Sequence, residues 1–328
     1  MQADGFIIGV DLGATNMLIA IVDADGRILH RDHRRTEGER GFDHVVANVA
    51  DGIEDICVDA SIDRTAIQAV GVAVAGAVDV ETGVVLDAFN LGWKDEPFRD
   101  RLAARLGCPV AIDNDVNAAA WGEHQLGAGR GHADLFAVWV GTGIGGGLVL
   151  NHALYHGAMS TAGEIGQSVS DPFGEEDRRV VEDFAGRAGM KRLFADHFTR
   201  DSSSMMHERC QGDASHIDTD ALREAYHAND PLARTVIDHG AERLGVALAN
   251  VVSVLSLSVI VLGGGLTEAF GQTYIDQVKT AFDRAVFPPQ AKRCAFVMTA
   301  LEADAGVLGA ALLARALLTS NQYGSLTN

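Results

Sequence analysis

The spacing of apolar residues in this chain predicts a strand pattern that occurs twice. Residues 6–29 contain three apolar runs separated by a glycine turn and an Asp-Gly turn, which is typical of a meander of β-hairpins. Residues 135–155 repeat the order of strand, glycine-rich turn and strand. Two copies of one unit indicate two related domains.

Helical periodicity alternates with further apolar runs between and after these copies. Apolar residues recur on one face of residues 41–60, and a second amphipathic segment covers about 97–106. A long helix is predicted from Pro231, with Asp230 as its cap. Three continuous apolar runs are predicted to be buried strands: residues 69–75, 259–262 and 295–298. This order predicts an α/β fold in which mixed sheets are flanked by helices.

The length of 328 residues also favours two domains, because single domains usually contain about 100 to 200 residues. We assign residues 1–116 together with 304–320 to a smaller α/β domain. Residues 117–303 are assigned to a larger α/β domain, and residues 321–328 to a frayed tail.

Composition narrows the classes of function. A formal net charge of −19 argues against a nucleic-acid partner, because binding to the phosphate backbone relies on clustered Lys and Arg. No apolar run approaches the roughly 20 residues of a membrane span, and the acidic start carries no secretory signal. Four widely separated cysteines fit reduced thiols. We therefore expect a cytoplasmic protein with no membrane or nucleic-acid partner.

The stretch from Val110 to Glu123 carries an acidic residue where a strand passes into a helix. Asp115 lies at the turn, at the carboxyl end of a strand, where open α/β sheets bind ligands. The helix N-terminus favours its ionised form, so Asp115 is placed to accept a proton. The alternative is that Asn114 or Asp115 only caps the helix, as these residue types often do.

Three glycine-rich turns each follow an apolar run, at residues 11–16, 141–147 and 263–265. Glycine lets a ligand approach the backbone amides closely, and rows of such amides bind anions. Three such turns at strand ends predict a phosphate or nucleotide site, although one alone is usually a hairpin. Asp11 opens the first turn, where a hydrated magnesium ion could be bound, and a simple turn role for Asp11 is the alternative.

These segments, in this order, resemble the ROK family of sugar kinases and repressors, within the sugar kinase and actin-like ATPase superfamily. The resemblance runs from about residue 6 to residue 316. Residues 11–16 and 141–147 are similar to the two phosphate motifs, 114–123 to the sugar and catalytic motif, 163–166 to the sugar loop, and 261–265 to the adenosine motif.

The resemblance implies a fold and a role for individual residues. The fold would be two RNase H-like α/β domains with a cleft between them. Asp115 would be the general base that takes a proton from the sugar hydroxyl as it attacks the γ-phosphate of ATP. Sugar-binding residues would be Asn114, Glu164, Gln167 and Glu182. ATP would contact Asp11, Gly13, Thr15, Gly141, Thr142, Gly143, Gly263, Gly264 and Gly265, with Asp11 holding Mg²⁺ through water.

The sequence departs from the family pattern at the usual zinc site. Gln167 replaces the histidine that follows Gly-Glu-Ile-Gly, and residues 168–182 contain no cysteine. We therefore expect no structural zinc. Because the zinc loop helps to position sugar ligands, this departure leaves the identity of the hexose open more than it affects catalysis.

The resulting expectation is an ATP-dependent hexose kinase of the glucokinase type, acting on the 6-hydroxyl with magnesium. Kinases for fructose, mannose or an N-acylhexosamine, and a polyphosphate donor, are alternatives within the same class. The alternative from another class is a sugar-binding regulator without catalysis. Repressors of the family carry an N-terminal helix-turn-helix, whereas the first strand pattern here begins at Phe6. The family also suggests a homodimer or homotetramer.

Overall fold

A computed structural model describes residues 5–175, 178–198 and 204–323. The chain divides into two compact units. The first contains the residues up to Arg130, Leu154–Ala162 and the residues from Ala303 onward, and the second contains Gly131–Ala153 and Gly163–Glu302. The first unit thus continues to Arg130, past residue 116 where we placed the boundary. Residues 324–328 of the predicted tail lie outside the described residues.

The described residues of the first unit form eight strands and four α-helices. The strands are β1 (Phe6–Leu12), β2 (Asn16–Val22), β3 (Ile28–Arg35), β4 (Ile67–Val74), β5 (Ala77–Asp79), β6 (Val84–Ala88), β7 (Trp93–Glu96) and β8 (Val110–Asn114). The helices are α1 (Phe42–Asp59), α2 (Phe98–Leu106), α3 (Asp115–Gln125) and α11 (Ala305–Tyr323).

The second unit combines a five-stranded sheet with several helices. Its sheet strands are β9 (Leu135–Val140), β10 (Ile144–Leu150), β11 (Ala153–Leu154), β12 (Val259–Gly263) and β13 (Ala295–Met298). Its helices are α4 (Glu182–Ala185), α5 (Arg187–Phe198), α6 (Met205–Arg209), α7 (Thr219–His227), α8 (Pro231–Leu255), α9 (Gly265–Phe270) and α10 (Gln272–Ala285). Short 3-10 helices are Gly38–Arg40, Arg64–Ala66, Phe89–Leu91, Ile165–Gln167, Ala214–His216, Pro289–Arg293 and Glu302–Asp304.

The two five-stranded sheets have the same strand order. The first sheet is β3-β2-β1-β4-β8 and the second is β11-β10-β9-β12-β13. In each sheet an antiparallel hairpin is extended by parallel strands, which are β4 and β8 in the first and β12 and β13 in the second. The predicted repeat and the predicted two-domain α/β fold class are therefore confirmed. Strands β5, β6 and β7 form a separate antiparallel sheet.

Helix α1 packs on one face of the first sheet, and α11 packs on the other. Ile8, Val10 and Leu12 of β1 belong to the main hydrophobic cluster with the apolar face of α1. The opposite face contacts α11, where a Cβ at Gly9 would overlap the carbonyl of Val307. Glycine and alanine let α11 approach the strands closely, and this contact orders the face that also carries Asp11.

No helix among the described residues is long and apolar enough to span a membrane. The described cysteines form no disulfide.

Candidate functional site

The end of β8 and the start of α3 hold the predicted catalytic motif in the first unit. The Asn114 side-chain oxygen accepts the backbone N–H groups of Val116 at 2.9 Å and Asn117 at 3.1 Å, so Asn114 is the helix cap. Its amide nitrogen donates to Asp115 Oδ1 at 2.9 Å and to the Gly76 carbonyl at 3.0 Å. The Asn114 side chain therefore both caps α3 and orients Asp115.

Asp115 is partly buried and keeps one carboxylate oxygen available. Oδ1 accepts hydrogen bonds from Asn114 Nδ2 and from the Val116 N–H at 3.0 Å. Within the described part of the chain, no donor contacts Oδ2. Burial is the main cause and the negative charge of Asp11 the second cause of a rise in the pKa of Asp115 to about 7. A carboxyl group with this pKa can accept a proton near neutral pH.

Asp11 lies near the end of β1, at the entrance to the first glycine turn. The turn is closed by the Gly13 N–H, which donates to the Asn16 carbonyl at 3.1 Å, and the Thr15 carbonyl accepts the Thr36 N–H at 2.9 Å. Burial raises the pKa of Asp11 to about 6, and no described donor compensates its charge.

The surroundings of Asp11 fit a hydrated magnesium ion, which is typically held by one or two carboxylates and several waters. Its carboxylate is partly buried and has no donor among the described residues, so a cation would offset the cost of its burial. In the described ranges, no group of three or more His, Cys, Asp or Glu side chains is arranged to hold a metal ion.

Two further residues of the first unit, Asp113 and His156, are connected to this motif and were missed by sequence reasoning. Asp113 is buried, and its Oδ2 forms a 2.7 Å hydrogen bond with His156 Nε2. Its Oδ1 accepts from the Asn114 N–H at 2.8 Å and from Asn117 Nδ2 at 3.0 Å. Asp113 therefore holds the backbone of the capping residue Asn114 and the side chain of Asn117 in the first turn of α3. The bond to Asp113 raises the pKa of His156.

The second glycine turn is shorter than predicted. Only Gly141–Gly143 form the turn, because β10 already begins at Ile144. The predicted turn residues Gly145–Gly147 lie in this strand, where a Cβ at Gly146 would overlap the Gly163 carbonyl. These glycines therefore allow close packing within the second unit, and the predicted phosphate-binding role is left to Gly141, Thr142 and Gly143.

Three of the predicted sugar-binding residues lie together in the second unit. Glu182 Oε2 accepts the Ile144 N–H at 2.7 Å, and Gln167 Nε2 donates to Glu182 Oε1 at 3.4 Å. The Glu164 side chain is accessible to solvent. Its pKa is raised, mainly because the carboxyl group is partly desolvated and secondly because of the charge of Glu182. No described donor contacts its carboxylate. The arrangement offers carboxylate acceptors to hydroxyl groups and connects this loop to the second glycine turn.

The third glycine turn joins β12 to α9. Gly264 has a φ of 88°, and a Cβ there would lie 2.6 Å from the Val140 carbonyl, so this position requires glycine. Gly265 begins α9, and a Cβ at this position would have no neighbouring atom within 4 Å. Gly265 is also exposed, so a ligand can approach the backbone at this position.

Comparison with known proteins shows which family this architecture represents. A family model described as "ROK family" matches residues 7–317. The chain belongs to the ROK family. A glucokinase from Halalkalibacterium halodurans is 31% identical over 331 residues, covering 99% of this ROK chain and 100% of that protein. A putative xylose repressor from Caldicellulosiruptor sp. is 27% identical, covering 93% of this chain and 77% of that protein.

Solved structures of ROK proteins are similar over nearly the whole chain. A ROK family glucokinase from Streptomyces griseus, in complex with glucose and AMPPNP, has a TM-score of 0.79 and 31% identity, covering 95% of this chain and 100% of that chain. A ROK hexokinase from Thermus thermophilus has a TM-score of 0.80 and 30% identity, covering 96% and 99%. The family and fold expected from the motifs are confirmed.

Proposed function

We propose that this ROK protein is an ATP-dependent hexose kinase of the glucokinase type, which transfers the γ-phosphate of ATP to the sugar 6-hydroxyl. The observation that carries the proposal is Asp115, a partly buried carboxylate with one unengaged oxygen and a pKa near neutrality. The glucokinase relative and the glucose and AMPPNP complex of a similar structure support this choice of reaction.

Asp115 acts as the general base in this proposal. Oδ2 accepts the proton of the 6-hydroxyl while the hydroxyl oxygen bonds to the γ-phosphorus and the bond to the β-phosphate oxygen breaks. Asn114 and the Val116 N–H hold Oδ1, so the orientation of the carboxylate is fixed before the sugar binds. Phosphoryl transfer depends mainly on such positioning and on charge stabilisation.

The sugar hydroxyls are bound by Glu164, Gln167 and Glu182 in this proposal. Both N–H groups of the Asn114 amide are already donated within the chain. A sugar hydroxyl that accepts from Asn114 therefore replaces its bond to the Gly76 carbonyl, while its bond to Asp115 keeps the base oriented. We assign Asn114 a direct sugar contact of this kind in addition to its role as cap.

The donor is bound by the three glycine turns in this proposal. Gly13 and Thr15 belong to the first turn, Gly141, Thr142 and Gly143 to the second, and Gly263, Gly264 and Gly265 to the third. Asp11 would hold a hydrated Mg²⁺, which supplies neutralisation of phosphate charge when bound.

The test is a coupled ADP-release assay with ATP and magnesium, over glucose, mannose, fructose, N-acetylglucosamine and N-acetylmannosamine. We expect turnover of glucose, and a loss of kcat of at least about a hundredfold in Asp115→Asn, since general-base catalysis contributes about 10²–10⁴-fold. Asp63→Asn, an exposed change of the same chemistry, should retain full activity. Full activity in Asp115→Asn would overturn the assignment of the base.

A sugar-binding regulator is the second candidate, favoured by the similarity to a putative xylose repressor. A sugar that raises the melting temperature without being phosphorylated would support it. Turnover of another hexose or use of polyphosphate would keep the kinase class and change the substrate.

We further propose a cytoplasmic location and a homodimeric or homotetrameric state, based on the reduced cysteines and on the family. Cell fractionation and sedimentation equilibrium test these two points.

A further inference from the structure

Arg187, the first residue of α5, lies beside the second glycine turn. Its guanidinium donates to Thr142 Oγ1 at 2.8 Å and to Thr219 Oγ1 at 2.9 Å. Among the described side chains, no carboxylate forms an ion pair with it. Two neutral hydroxyl groups hold the cation in place while its charge and its remaining N–H groups stay available to a ligand.

The backbone at Arg187 is fixed to the same turn. The Arg187 N–H donates to the Gly141 carbonyl and the Ala188 N–H donates to the Thr142 carbonyl, both at 3.0 Å. Both ends of the Arg187 side chain are therefore anchored, which lowers the entropy lost when it binds a ligand.

A carboxylate beside the second glycine turn explains why a cation is needed there for phosphate binding. Glu182 Oε2 accepts the Ile144 N–H at 2.7 Å, and a Cβ at Gly143 would overlap the same oxygen. A carboxylate thus lies directly against the turn, and it repels any phosphate that binds the turn amides. A fixed cation on the turn offsets this repulsion, and the planar guanidinium matches the geometry of phosphate oxygens.

We propose that Arg187 binds the phosphate tail of the donor, as a residue that contacts the β- or γ-phosphate of a nucleoside triphosphate or the equivalent groups of an inorganic polyphosphate. This inference rests on the proposed phosphate-donor role of the turn, and it adds a side chain to that site. Arg187 makes donor binding depend on the number and charge of the phosphate groups. The nucleoside part of the donor is recognised by other residues.

Calorimetric binding to the full-length protein without sugar tests this role independently of turnover. The probes are AMPPNP, tripolyphosphate and adenosine. Arg187→Met should weaken binding of AMPPNP and tripolyphosphate by about ten- to a hundredfold, as expected for hydrogen bonds to a charged group. Affinity for adenosine should not change. Arg187→Lys keeps the charge and should restore part of the loss. Arg223→Met removes an exposed arginine paired with Asp220 in the same unit and should change none of the affinities.

The outcomes separate this inference from the kinase proposal. If wild-type protein phosphorylates a sugar, Arg187→Met should also raise the KM for ATP and leave the KM for the sugar unchanged. If no sugar is phosphorylated but tripolyphosphate binding depends on Arg187, the kinase proposal fails and this inference stands. Equal AMPPNP and tripolyphosphate affinities in Arg187→Met and wild type would overturn it, as would absence of binding to the wild-type protein.

Discussion

At the scale of single residues, two acidic side chains of the first unit show how location sets chemistry. Asp11 and Asp115 are both partly buried at the carboxyl ends of strands, and burial is the main cause of the raised pKa of each. The charge of Asp11 acts on Asp115 as a second cause. Asp11, which has no donor among the described residues, suits the binding of a cation. Asp115, which is held through Oδ1 alone, suits proton transfer.

The influence of Asp11 predicts a shift in the titration of Asp115. Asp11→Asn removes a negative charge, so ionisation of Asp115 becomes easier and its pKa should fall below the value of about 7 in the wild type. Carboxyl ¹³C titration of the ligand-free protein measures this directly. Asp63→Asn is the control and should leave the titration unchanged. An unaltered Asp115 pKa in Asp11→Asn would contradict the coupling.

The same argument extends to the activity of the wild-type protein. Asp115 must be ionised to act as a base, so kcat/KM should rise as pH increases through about 7 and reach a plateau above it. A flat profile between pH values on both sides of 7 would exclude a base with this pKa.

His156 offers a prediction about stability. The Asp113 side chain is only 3% exposed, and His156→Leu leaves its charge without an ion-pair partner, so the free energy of unfolding should fall by about 3 kcal/mol. His44→Leu removes a bond of the same 2.7 Å length to the more exposed Glu37 and should cost much less, because solvent screens that pair. Urea denaturation measures both. Equal losses in the two variants would contradict the role of burial.

The pH dependence of this difference has a definite sign. Asp113 raises the pKa of His156 in the folded protein. The stabilisation is therefore complete below the ordinary histidine pKa and is lost as pH rises through the raised value. The difference between wild type and His156→Leu should be larger at acid than at alkaline pH.

At the scale of elements, caps and close packing decide where helices begin. Asp230 caps α8 by accepting the Ala233 N–H at 2.9 Å, and it also accepts from Ser204 Oγ and the Met205 N–H at 2.9 Å. One buried carboxylate thus fixes the start of α8 and the start of α6. Asp218 caps α7 through the Ala221 N–H at 2.7 Å and is exposed.

These two caps should differ in their effect on stability. Asp230→Ala leaves buried donors without partners, and we expect a loss of about 2 kcal/mol or more in the free energy of unfolding. Asp218→Ala removes a solvated cap and should cost about 1 kcal/mol or less. Chemical denaturation followed by circular dichroism compares them. A similar cost for both would show that the additional bonds of Asp230 contribute little.

The sequence predicted elements well where local signals agree. Asp230, Pro231 and the apolar spacing that follows predicted α8 from its first residue, and the repeated strand pattern predicted both hairpins. Helix α10 was missed although its apolar residues recur at helical spacing. Strand β7, with the sequence WKDE, has little apolar alternation to indicate it. The bond between Asp113 and His156 joins residues far apart in sequence, so no local pattern reports it.

At the scale of the whole molecule, each unit is assembled from separate segments of chain. The first unit depends on α11, which follows the whole of the second unit in sequence. Val307, Ala310 and Ala314 of α11 are fully buried, and a Cβ at Gly71 of β4 would overlap the Ala310 carbonyl. The C-terminal helix is therefore part of the first core.

Removal of α11 should affect the two units differently. A chain that ends at Glu302 lacks α11, and we expect rapid proteolysis within β1 to β4 while residues 163–302 remain resistant. A chain that ends at Leu318 keeps Val307, Ala310 and Ala314 and should show the wild-type pattern. Limited proteolysis followed by mass spectrometry gives the cleavage sites. Identical patterns in the two truncated chains would contradict the dependence on α11.

The late position of α11 also determines the order in which the protein matures on the ribosome. Translation proceeds from the N-terminus at about 5–20 residues per second. All segments of the second unit have been made once Glu302 is added, whereas the first unit still lacks its last helix. The half that is translated first is therefore completed last. Until α11 has been made, the sheet face that it covers in the finished protein has no helix packed on it.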